Sequence, residues 1–109
     1  MPRSKFFAAV ALFTLAFTAH AADTEVSLVI RDHRFEPEEV TVPAGQKIKL
    51  VVHNQDHTPE EFESHELNRE KVIPGGAKAT IFVGPLSPGS YPFFGEFNPK
   101  TARGRIIAK

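Results

Sequence analysis

The sequence predicts an all-β sandwich of about seven short strands. Three observations lead there. Apolar residues recur at alternate positions in several short runs, as they do in half-buried strands. Proline and glycine, 9 and 7 in the chain, punctuate those runs from end to end and argue against a helical bundle. The length of 109 residues allows one domain of ordinary size and no second.

Taken in order, the first alternating run is Glu25 to Arg31, with Val26, Leu28 and Ile30 on one face. Phe35-Glu36-Pro37 breaks it. Val40 and Val42 begin the next run, which stops at Pro43-Ala44-Gly45. The third is the clearest: Ile48, Leu50 and Val52 point one way, Lys47, Lys49 and His53 the other, until Asn54-Gln55-Asp56 ends it. Pro74-Gly75-Gly76 precedes a run in which Ala79, Ile81 and Val83 alternate with Lys78 and Thr80. Pro85 and Pro88-Gly89 mark the following turn, and Ser90–Phe94 and Gly104–Lys109 close the chain. One face of each strand must turn inward, so Val26, Leu28, Ile48, Leu50, Val52, Ile81, Val83, Phe93 and Ile106 are expected in the core. Most of the aromatics Phe35, Phe62, Phe82, Tyr91, Phe93, Phe94 and Phe97 are read as core too, given the area each must bury. Only Glu60–Lys71, rich in Glu, His, Asn and Arg, escapes the pattern; it reads as a helical turn or a long loop.

Residues 1–21 are expected to be a cleaved signal peptide, leaving one domain over 22–109. Arg3 and Lys5 form a positive start, Phe6–Thr18 is apolar, and Ala19-His20-Ala21 offers small residues for cleavage. The apolar run falls short of the roughly 20 residues that span a bilayer, so the mature chain is not expected to be membrane-spanning. It would be exported, with two more acidic than basic side chains. Balanced charge overall, 13 Lys+Arg against 13 Asp+Glu, gives no nucleic-acid footprint.

Composition excludes much chemistry. With 0 Cys there is no disulfide framework, thiolate metal site or cysteine nucleophile, and the single methionine is Met1. No glycine-rich phosphate loop is present, and Ser64 and Ser87 lack the context of a nucleophile elbow. No hydrolase or transferase site is indicated. What remains is a pair of polar patches. One gathers His53, Asp56, His57, Glu60, Glu61, Glu63, His65 and Glu66; the other holds Glu96 and Asn98. Carboxylates with imidazoles suit borderline ions such as copper(II), iron and zinc. The plainer reading is a solvated acidic loop.

The order of these segments resembles the cupredoxins, the small Greek-key sandwiches of plastocyanin and azurin type. Phe35-Glu36-Pro37, Val42-Pro43-Ala44-Gly45 and the strand ending at Asn54 look like the first half of that fold. Pro88–Phe94 and Gly104–Ile107 look like its last two strands. The resemblance implies a Greek-key cupredoxin-like fold, and it also exposes a difference. Where blue-copper relatives read Pro-His-Asn, this chain has Pro59-Glu60-Glu61, and Gly95 and Asn98 stand in the places of the cysteine and second histidine ligands. A type 1 blue copper site cannot form.

Thr58–Ser64 with Leu67–Lys71 is similar to periplasmic cupredoxin-like proteins of bacterial ferrous iron uptake. That subgroup implies a periplasmic protein binding copper or iron ions at a carboxylate-rich site. Its partners would be an inner-membrane iron permease and a periplasmic metal-binding protein, and its chemistry at most ferrous iron oxidation or one-electron transfer. On this resemblance Glu60 and Glu96 are expected as oxygen ligands, with His65, His57 and Asn98 completing the shell. His53 lies on the outward face of its strand, and nothing places His33 near the site. The alternative is a sandwich that has lost its metal and serves as a docking module for a permease or periplasmic partner.

Overall fold

The computed structural model describes residues 24–109, so the signal segment 1–21 and its cleavage point lie outside the described residues. The architecture is all-β. Among the described residues nine strands follow one another as β1 (Thr24–Arg31), β2 (Arg34–Glu36), β3 (Glu39–Val42), β4 (Ile48–Asn54), β5 (Glu60–Ser64), β6 (Arg69–Ile73), β7 (Lys78–Val83), β8 (Gly89–Gly95) and β9 (Arg103–Ala108). They form a four-stranded sheet in the order β2-β1-β4-β7 and a five-stranded sheet in the order β3-β9-β8-β5-β6. Among the described residues no helix is long and apolar enough to cross a membrane.

The alternating runs become strands as expected. β4 has the burial rhythm the sequence announces, with Ile48, Leu50 and Val52 wholly buried. It lies parallel to β1, pairing Leu28 with Val52, and antiparallel to β7, pairing Leu50 with Ile81. The core runs between the sheets and centres on three rings. Phe35 meets Phe93 edge-on at 4.9 Å and Phe62 edge-on at 6.0 Å, while Phe62 and Phe93 stack at 5.1 Å. Such pairs add about 0.5–1.5 kcal/mol beyond the area they bury. Tyr91, half-buried, packs against this core, whereas Phe94 is half-buried outside it and Phe82 and Phe97 are exposed. Phe82 instead lies under the Lys47 ammonium, 4.7 Å from the ring centre.

Glu60–Lys71 departs further. It is neither helix nor long loop but most of the β5–β6 hairpin, in which Glu60 pairs with Ile73 and Ser64 with Arg69. The inward face of β5 carries Glu60, Phe62 and Ser64, two polar residues around one ring, all buried. Each polar group is satisfied inside. Ser64 Oγ donates to Pro92 O at 2.7 Å and accepts from Leu67 N at 3.1 Å. A strand whose buried face is mostly polar has no hydrophobic alternation to announce it.

One end of the sandwich collects the turn after β1 and the loops before β5, before β7 and before β9. Asp32 and His33 form a two-residue turn with both φ positive, at 53° and 58°, a conformation that Asp and His tolerate better than most. Asp56 caps it, accepting from Asp32 N at 2.8 Å and His33 N at 3.0 Å. Thr101 Oγ1 reaches across to donate to His33 O. Buried Asn54 ties the remaining loops, donating to Thr58 O at 2.9 Å and Ile73 O at 3.1 Å and accepting from Asp56 N at 3.0 Å.

Candidate functional site

Glu60 opens β5 at this end and turns inward, 2% exposed. Its Oε1 accepts from Phe97 N at 2.9 Å and Glu61 N at 3.0 Å, and its Oε2 accepts from Asn98 Nδ2 at 2.7 Å. Gly95, at the end of β8, lies directly against it. A Cβ there would fall 2.6 Å from Glu60 Cδ and 2.7 Å from the Ala102 methyl. The loop after Gly95 is a tight turn, with Asn98 N donating to Gly95 O at 3.1 Å and Ala102 N to Asn98 O at 2.9 Å.

The other expected residues separate. Glu96 is exposed, on the opposite side of the sheet from Glu60, and His65 is exposed at the β5–β6 turn with its ring 5.6 Å from Phe94. His57 lies in the loop before β5 near Asp56. There, burial opposes ionisation of Asp56, but the His33 and Asp32 N–H groups and the charges of His33 and His57 hold its carboxyl below the usual range. The structure therefore joins Glu60 to Asn98, and Glu96 to a different group of residues.

That group is the outer face of β5, β6 and β8. Glu61 and Glu63 alternate with Phe62 and so face away from the core. Glu63 is directly opposite Glu70 on β6, and Glu61, opposite Val72, is diagonal to Glu70. Glu63 is also opposite Phe94, two residues before Glu96. Four carboxylates thus share one patch. No Lys or Arg of the described residues forms an ion pair with any of them: the pairs are Arg31–Glu36, His33–Asp56 and Arg105–Glu39. Arg69, next to Glu70 on β6, donates to Phe82 O at 2.8 Å.

The chemistry follows from that crowding. A hydrogen bond with the Glu70 carboxyl, then burial, then the charges of Glu70, Glu63 and Glu96 push Glu61 up to about 7. Burial, hydrogen bonding to Glu96 and the charges of Glu96 and Glu70 raise Glu63 as well, with His65 opposing. Glu63, His65 and Glu70 also line a shallow depression of about 350 Å³. A larger groove of about 680 Å³ runs over β8 and β9, but its guanidinium groups are engaged, Arg105 with Glu39 and Arg103 with Pro99 O. In the sequence Glu61 and Glu63 belong to an acidic patch with nothing to set them apart, and Glu70 stands outside it. The Glu-Phe-Glu alternation of 61–63 was the available signal.

A model of the cupredoxin-like domain matches residues 5–108. The chain belongs to the cupredoxin-like domain family. This cupredoxin-like chain is 49% identical over 83 residues to an uncharacterized protein of Rickettsia prowazekii (strain Madrid E), covering 76% of this chain and 66% of that protein, so it spans less than two thirds of that relative's length. Among solved structures it is similar to auracyanin A, a "blue" copper protein of Chloroflexus aurantiacus, with TM-score 0.70 and 11% identity over 80% of this chain and 99% of that one. Amicyanin from Paracoccus versutus gives TM-score 0.61 and 21% identity over 81% and 83%. At such identities the likeness is one of fold.

Copper is the ion these folds suggest, and the ligand end of this cupredoxin-like chain does not fit it. Glu60 already accepts from three N–H groups, Asn98 presents an amide donor, and Gly95 offers no side chain. Among the described residues no three His, Cys, Asp or Glu side chains converge to hold an ion.

Proposed function

We propose that this protein is an exported, periplasmic cupredoxin-like cation-binding protein that serves iron uptake, handling copper or iron ions. The cation is held on the outer face of the five-stranded sheet by Glu61, Glu63, Glu70 and Glu96, with His65 alongside. One observation carries this reading. Glu61 is only 8% exposed, yet no cationic side chain answers it and its close neighbours are other carboxylates. Like charges opposite one another on a sheet destabilise it, so the face is costly until a cation enters. Glu70 and Glu96 are exposed, and in this reading they exchange their hydrogen bonds with Glu61 and Glu63 for the ion, closing on it a set of side chains that otherwise does not converge.

Carboxylate oxygens suit hard cations in general, one imidazole adds affinity for iron and copper(II), and the choice of these two ions rests on the resemblance to the iron-uptake proteins. The rigid sandwich beneath suits binding and release, with ferrous iron oxidation or one-electron transfer as the most it supports. Its partners in this reading are an inner-membrane iron permease and a periplasmic metal-binding protein. The closed ligand end favours a second reading, a metal-free docking module for the same partners.

Metal analysis of the protein purified from the periplasm separates the two. Bound iron or copper is expected, and copper(II), where present, should be pale, because no thiolate exists to give an intense charge-transfer band. Protein isolated without metal that also ignores added copper(II) and iron(II) favours the docking module.

A further inference from the structure

We infer that the Glu60 carboxylate is an internal plug that closes the fold's ligand end, with Asn98 as its donor and Gly95 as the gap that admits it. This goes beyond cation binding on the outer face and stands whether or not that face holds an ion. Two segments meet at the one carboxylate, the start of β5 through Glu61 N and the turn after β8 through Phe97 N and the Asn98 amide. In a metal centre, an ion gathers loops at this end. Here an acid on β5 holds them, its oxygens accepting from the buried Glu61 N–H and from the part-buried Phe97 N–H and Asn98 amide.

Gly95 makes the room for this carboxylate. Its φ is not left-handed, so backbone conformation does not demand glycine there. Space does. Any side chain at 95 places its first carbon 2.6 Å from Glu60 Cδ and 2.8 Å from Oε1, closer than atoms approach. A side chain at 95 therefore requires the Glu60 carboxylate to leave its present place and the Ala102 methyl to give way, which ties two of the departures from the blue-copper pattern to one crowded point. Asn98 is the third. Its amide points a donor at Glu60 Oε2, the opposite of what a metal ligand must present.

The test is a double-mutant cycle on the full mature chain, read by thermal unfolding, with a metal titration beside it. Gly95→Ala is expected to lower the midpoint by about 10 °C, the scale of overpacking in a domain of this size. Glu60→Ala is expected to lower it too, through unpaired donors and a void. Together they should cost clearly less than the sum, because the new methyl enters the space the carboxylate leaves. The Ala102 methyl, 2.7 Å from the same point, keeps that rescue partial.

Glu60→Gln keeps the argument testable if the alanine variants fail to fold. Its amide oxygen accepts from Glu61 N and Phe97 N, and its amide nitrogen donates to a flipped Asn98. Its midpoint should stay much nearer wild type than that of Glu60→Ala, and its response to copper(II) and iron(II) should match wild type. Strictly additive losses in the cycle would overturn the plug, as would a Glu60→Gln protein that folds but loses a metal response the wild type shows. A wild type with no metal response contradicts the outer-face site alone, and the cycle still decides the plug.

Discussion

Phe93→Ala is expected to leave the domain close to unfolded at ordinary temperature. Phe93 is 1% exposed and packs on Phe35 and Phe62 at 4.9 and 5.1 Å, so it joins the two sheets at their centre. Truncating such a ring costs about 3–5 kcal/mol, against a total of about 5–15 kcal/mol for a folded domain. A small domain with no disulfide belongs toward the lower end of that range. The unfolding midpoint should fall by on the order of 20 °C, and Phe97→Ala, at 48% exposure, should change it little. A loss of only a few degrees in Phe93→Ala would contradict the three-ring core.

The acidic face should reverse the usual dependence of stability on pH. Glu61 is raised from 4.5 to about 7, so between those values the folded protein holds a proton that the unfolded chain has released. Stability contributed there is present below 4.5 and is lost as pH rises through about 7; Glu63, also raised, acts in the same direction. Asp56 acts oppositely. Its carboxyl is lowered from 3.8, so its contribution is present above 3.8 and is lost as pH falls through the lower folded value. The metal-free protein should therefore be most stable near the lower edge of the window and weaken toward neutral pH. Glu61→Gln, which removes the charge and keeps the shape, should flatten that decline and leave the acid side unchanged. A wild type equally stable across the window would argue against the crowding of the four carboxylates.

Much of the fold was legible because burial on one face of a strand writes itself as alternation. Ile48, Leu50 and Val52 show it plainly, and they sit where the pattern puts them. β5 was not legible because its buried face holds Glu60 and Ser64, and their fitness to be buried lies in partners from distant segments: Pro92, Phe97 and Asn98. The candidate site divided for the same reason. Motif position assigned Glu60 and Glu96 to one shell, but strand parity sends Glu60 inward with Phe62, whereas Glu96 joins the outward Glu61 and Glu63. Glu70 could be found only once the β5–β6 register set it opposite Glu63. Exposure of Phe82 was equally hidden, because its cover is the Lys47 side chain and not the core.

Metal titration of three proteins, at a pH above the Glu61 transition, decides whether the outer face holds a cation. Wild type, Glu60→Gln and the double variant Glu61→Gln with Glu63→Gln would each be titrated with iron(II) and with copper(II), binding being followed by calorimetry. Losing even an outer-shell partner of a metal weakens affinity by about 10–100-fold. The double variant, which removes two direct ligands, should lose at least that much, while Glu60→Gln should bind as wild type does. Equal affinities in all three, or a loss confined to Glu60→Gln, would contradict a cation site on the outer face.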